Sequence, residues 1–176
     1  MAGGVNLYAY AGGNPVSFSD PFGLKVSFGD RRARELYNAL RTAARNASKS
    51  RNPDRAQAGR ALTRRLEALE KDSQTVVIYV EEGAENGFGP KDGGAEFGIT
   101  INPADPSDYS PQVRLAHELG HAYDAMVEGH NPTDPAFDSA SDAMAVLIEN
   151  LARGIWGCMP KIYHDALTRR LNPYCS

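Results

Sequence analysis

Apolar residues recur at helical spacing through Ala33, Leu36, Tyr37, Leu40, Ala43, Ala44 and Ala47, the signature of one buried helix face. Asp30 stands where an N-cap belongs. Asn52-Pro53-Asp54 interrupts the pattern. A second run, Ala58, Ala61, Leu62, Leu66 and Leu69, predicts a helix ending near Lys71. The two together predict a helical hairpin. The period then shortens. Thr75-Val76-Val77-Ile78-Tyr79-Val80 is β-branched and apolar, long enough for a central strand. The stretch from Gly83 to Gly94 is rich in glycine and reads as a loop. Glu96 to Asn102 alternates as a second strand. We expect Phe97 to Asn102 to be an edge open to an extended peptide.

Asn102-Pro103 and Asp105-Pro106 turn the chain toward a third helix. Ser110 is its expected N-cap and Pro111 its first residue. Val113, Leu115, Ala116, Leu119, Ala122 and Met126 make that helix largely apolar, as for a buried element. Residues 129–135 read as a loop, and a fourth helix is expected from Ser139 to Trp156. Helices and a small sheet in this order predict an α+β fold.

Composition adds bounds. With 176 residues, 41% of them hydrophobic, the chain can bury a core of its own. It contains no apolar run long enough for a membrane span and no signal-peptide pattern at residue 1. A net charge of −3 argues against general nucleic-acid affinity. The charge is unevenly placed: Lys25 to Lys71 is strongly basic, and the chain turns acidic afterwards. A solvated helical face accounts for the basic stretch, and contact with an acidic partner is the alternative. Cys158 and Cys175 are compatible with one disulfide or two free thiols.

The chemistry concentrates in His117-Glu118-Leu119-Gly120-His121. Residues four apart share a helix face, so both imidazoles can reach one metal ion. Glu118 then lies beside the metal, where it can take a proton from an activated water. One zinc ion on two His and a carboxylate is the working part of a metallopeptidase. Two buried His beside a buried Glu would be costly without a shared partner. Gly120, between them, leaves room for close packing over the site.

A third ligand is expected from the fourth helix, where Asp142 and Glu149 share a face. Each is followed three positions later by alanine, Ala145 and Ala152, which would let two helices approach. Glu149 reaches further and is preferred, while Asp142 is nearer in sequence to His121. The carboxylate not used could hydrogen-bond a ligand His. His130 is a loop histidine or, less favourably, a ligand. Tyr163 is the preferred oxyanion stabiliser, with Tyr123 and His164 as alternatives.

Two resemblances sharpen this. Asn6-Leu7-Tyr8 with Tyr10, then Asn14-Pro15-Val16, then Asp20-Pro21 with Gly23-Leu24 closely resemble the end of the core of Rhs (rearrangement hotspot) polymorphic toxins. The resemblance implies that residues 1–24 close a large β-repeat shell and that residues 25–176 are the toxin domain. It implies a C-terminal fragment of a longer protein, self-cleavage after Leu24 with Asp20 taking part, and a cognate immunity protein. Secretion into a target cell, by a type VI system, is the expected route in interbacterial competition. Whether the cytoplasm or the periplasm is the destination stays open.

His117-Glu118-Leu119, His121-Ala122, Ala145-Val146, Glu149-Asn150 and Arg153 resemble a group of zincin metallopeptidase effectors. Asp142 stands where that group would have glutamate. The joint expectation is a zincin-like α+β toxin domain with one Zn2+ held by His117, His121 and Glu149 or Asp142. Glu118 would act as base and then acid on peptide bonds of a target protein or peptide. A zinc hydrolase of peptidoglycan peptides and a non-enzymatic binding toxin with a structural metal are the alternatives.

Overall fold

The computed structural model describes residues 25–91, 96–105, 110–134 and 137–157. The expectations for residues 1–24 with Asp20 and Leu24, and for Cys158, Tyr163, His164 and Cys175, lie outside the described residues. The described part is α+β, with four helices and a small mixed sheet.

β1 (Val26–Phe28) leads into α1 (Arg31–Ala47), and α2 (Pro53–Lys71) returns to β2 (Val76–Val80). Both helices begin where their caps predict. The Asp30 carboxylate accepts from the Ala33 N–H at 2.7 Å, and the Asn52 side chain accepts from Arg55 N–H at 3.0 Å. The hairpin closes tightly at Gly59. A Cβ there would stand 2.4 Å from the Ser48 nitrogen and 2.7 Å from the Ala44 carbonyl oxygen, so only glycine lets the helices meet this closely.

The sheet runs β1-β2-β4-β3, with β1, β2 and β4 parallel and β3 antiparallel to β4. β3 is Gly87–Lys91 and β4 is Glu96–Ile101. This corrects two expectations. The glycine-rich stretch read as a loop contains a strand, and Phe97–Ile101 lies inside the sheet rather than at its edge. The edge is β3. Its glycines and Pro90 give it little strand propensity of its own. It forms because β4 supplies the ladder and Phe88 meets Phe97 at 5.3 Å between ring centroids. Proline is tolerated in such a strand because an edge position needs no donor on its open side.

Val26, Val76, Ile78, Val80, Phe97, Ile99 and Ile101 form the buried face of the sheet. α1 and α3 (Pro111–Met126) lie against the strands, while α2 and α4 (Phe137–Trp156) pack on those helices and on each other. Leu40, Leu62, Leu66, Leu69, Leu115, Leu119, Ile148 and Ile155 fill the space between them.

Several arginines of the basic hairpin serve the scaffold. Arg41 and the Tyr37 hydroxyl both donate to the buried Glu70 carboxylate, at 2.9 and 3.0 Å. Burial and then the Glu70 charge raise the Tyr37 pKa well above its ordinary value. Arg32 donates to the Val80 carbonyl oxygen at 2.9 Å, which ties α1 to the end of β2.

Candidate metal centre

α3 carries His117, Glu118 and His121, and begins with Pro111 after the Ser110 cap. Its approach from β4 is held by Arg114, which donates to the carbonyl oxygens of Asp105 and Pro103 at 3.2 and 3.4 Å. Burial draws the Arg114 pKa down, and the Asp105 charge acts against that shift. Buried Leu115, Ala116, Leu119 and Ala122 fix the rotation of α3 in the core. The two imidazoles therefore emerge side by side, with ring centroids 5.0 Å apart and edge to face.

α4 completes the site because it comes very close. A Cβ built on Gly120 would fall 2.3 Å from the Ala145 Cα and 3.0 Å from the Met144 carbonyl oxygen. Backbone nearly touches backbone, and this brings Ser141, Asp142 and Glu149 opposite the histidines. His117 Nδ1 lies 3.0 Å from Glu149 Oε2. An ionised carboxylate only accepts, so Nδ1 carries the hydrogen, and Nε2 is the nitrogen the neutral ring would offer to a metal. Arg153 holds that carboxylate from the other side, with Nε at 2.9 Å and Nη2 at 2.7 Å from Oε1. Both Glu149 and Arg153 are 2% exposed, so each charge depends on the other. His121 Nδ1 makes a short hydrogen bond with Ser141 Oγ, which leaves its Nε2 facing Asp142, 3.8 Å from Oδ1.

One ligand atom from each of His117, His121 and Asp142 lies within 4.8 Å of the others, so this group could hold a metal ion. Two ligands of a tetrahedral divalent ion such as zinc stand about 3.4 Å apart. Side-chain adjustments on the order of 1 Å would close the group to that spacing. The donor chemistry fits as well: two imidazole nitrogens and one carboxylate, with the far nitrogen of each ring already engaged.

The geometry divides the two candidate carboxylates. Sequence alone favours Glu149 as the third ligand, whereas Asp142 groups with the histidines and Glu149 stands behind His117. The reason is position along α4. Two helical turns separate the two carboxylates, and with the helices meeting at Gly120 and Ala145, Glu149 falls at the Nδ1 side of His117 and meets Arg153, while Asp142 falls at His121 Nε2. Glu118, 8% exposed, adjoins His117 on the same helix. His130 belongs elsewhere, with Nδ1 2.9 Å from the buried Asp124. The Tyr123 ring lies under the Arg65 guanidinium of α2 at 5.9 Å. Ser141 was missed from sequence. Its only signals were its place beside Asp142 and one helical turn before Ala145.

No family model, curated protein or solved structure matches this chain.

Proposed function

We propose that residues 25–176 are the toxin domain of an Rhs-type protein and hydrolyse peptide bonds with one zinc ion. The observation that carries the reading is the grouping of His117, His121 and Asp142 beside Glu118, with both Nδ1 atoms already engaged. An ordinary pair of core histidines needs no carboxylate converging on one ring nitrogen while a second carboxylate backs the other ring. The resemblance of residues 4–24 to the end of an Rhs core supports the toxin assignment. β3 supports a peptide substrate, since among the described residues it is an open sheet edge that packs on α3.

His117, His121 and Asp142 would hold the zinc, which when bound supplies Lewis-acid polarisation of the scissile carbonyl. Glu118 takes the proton of the attacking water and returns it to the departing amine nitrogen, so that it is regenerated. Glu149, with Arg153, keeps the His117 ring in one tautomer and orientation. Ser141 does the same for His121.

Metal content and peptide hydrolysis, measured together on wild type and Glu118→Gln, test the proposal. One zinc per chain in both proteins, with hydrolysis lost only in the variant, is the expected result. Absence of zinc from the wild type, or full activity in Glu118→Gln, refutes it.

A further inference from the structure

Among the described side chains, every fully exposed position of α4 is apolar: Ala143, Leu147 and Trp156. The hairpin helices differ. Exposed positions of α1 carry Arg31, Arg32, Glu35 and Arg45, and those of α2 carry Asp54, Arg55, Arg60 and Arg64. The charged residues of α4 in this stretch are engaged at the metal group or with each other, Asp142 with His121, and Glu149 with His117 and Arg153. Ala143, Leu147 and Leu151 follow one another at steps of four residues, so they share one face, with Val146 beside them. Leu147 is 42% exposed on it. A helix face without charge is one that normally lies against something.

The chain that follows suits this face. α4 stops at Gly157, whose φ of +75° is the left-handed conformation that ends a helix and redirects the chain. Its N–H donates to the Gly154 carbonyl oxygen at 3.3 Å. Residues 158–171 lie outside the described residues, but their sequence is amphipathic at helical spacing. Met159, Ile162, Tyr163, Ala166 and Leu167 fall on one side, and Lys161, His164, Asp165, Thr168 and Arg169 on the other. Pro160 suits a first helical turn. A helix this short is marginal alone and needs an apolar surface to pack on. The charges are complementary. α4 holds Asp138, Asp142 and Glu149 against Arg153, a net of −2, and residues 158–171 hold Lys161, Arg169 and Arg170 against Asp165, a net of +2. The length fits too, since Pro160 to Leu171 spans about 18 Å as helix and the rise from Gly157 back to Leu147 is about 15 Å.

We infer that residues 158–171 form a further helix that turns back at Gly157 and packs antiparallel on the Ala143, Leu147 and Leu151 face of α4. This arrangement decides the state of the cysteines. Cys158 stays at the turn, while Cys175 is carried toward the far end of α4. Their separation then far exceeds the roughly 7 Å between Cα atoms that a disulfide tolerates, so both are free thiols. The inference is independent of the hydrolase reading.

The test uses the whole chain. With Cys158 and Cys175 replaced by serine, Leu147→Cys/Leu167→Cys is oxidised beside Arg60→Cys/Leu167→Cys, which places the first thiol on the open face of α2. The first pair is expected to bridge within the monomer about tenfold faster than the second, because docking raises its effective concentration. The folded wild type should titrate with two thiols. Leu147→Glu should make tryptic cleavage after Arg169 and Arg170 about tenfold faster, whereas a change at a position that merely faces solvent leaves it unaltered. Equal bridging of the two pairs, bridges between separate molecules, a Cys158–Cys175 disulfide in the wild type, or unchanged cleavage in Leu147→Glu would each overturn the inference. Bridges between molecules would assign the face to a second copy of the chain.

Discussion

The backbone contact between α3 and α4 offers the sharpest test. Replacing Gly120 with alanine adds one methyl group at a point 2.3 Å from the Ala145 Cα. Ordinary contact begins at 3.4 Å, so α3 and α4 must separate locally by about 1.1 Å. The obstruction is backbone, and no rotamer change relieves it. Overpacking of this kind costs about 1–3 kcal/mol, and alanine returns about 1 kcal/mol through its better helix propensity. The net expectation is a loss of up to about 2 kcal/mol, or a Tm lower by up to roughly 8 °C for a domain of this size. The same separation moves Asp142 and Ser141 away from His121 and Glu149 away from His117. Zinc affinity should therefore fall more than stability does. Gly154→Ala is the internal control. Among the described residues its Cβ would meet only the Ala58 methyl group, at 3.2 Å, so helix propensity should nearly offset the crowding. The assay is thermal unfolding with chelator present, paired with zinc affinity by chelator competition. If Gly120→Ala matches Gly154→Ala in both measurements, the argument that this contact assembles the site is wrong.

Two further outcomes follow from contacts around the site and the hairpin. Glu149→Gln should weaken zinc binding about 10- to 100-fold. It should also destabilise the fold by about 3–5 kcal/mol, because Arg153 is left buried without its counter-charge. Ser141→Ala should weaken zinc binding with only about 1 kcal/mol lost in urea unfolding. Equal stability losses in the two variants would contradict the assigned pairing. Tyr37 gives a pH signature. Its folded-state pKa is raised above the ordinary 10.0, so the unfolded chain ionises first. The stability it contributes is fully present below pH 10 and is lost as pH rises toward the folded value. Unfolding midpoints on either side of pH 10 should show a decline in wild type that Tyr37→Phe lacks, and identical profiles would refute the assignment.

Much of this molecule was legible from local pattern. The hairpin helices, β2, β4 and α3 with its Ser110-Pro111 start all follow from periodicity and capping, which act within a few residues of the chain. The spacing of His117 and His121 sufficed to place both rings on one face. Gly120 and Ala145 were recognisable as small residues suited to a close helix contact, and they do meet. β3 was not legible. Gly87-Phe88-Gly89-Pro90-Lys91 has no strand preference of its own, and its ladder depends on β4.

The roles of Ser141, Asp142 and Glu149 were not decided by sequence either. All three lie on one helix, and their local pattern says only that Asp142 and Glu149 share a face. Which of them meets Nε2 and which meets Nδ1 depends on the depth and register at which α4 packs against α3. That register is set by contacts between residues more than twenty positions apart, such as Gly120 with Ala145. Residue types along a helix determine what a site can contain. The distance between two helices decides which of those residues reach it.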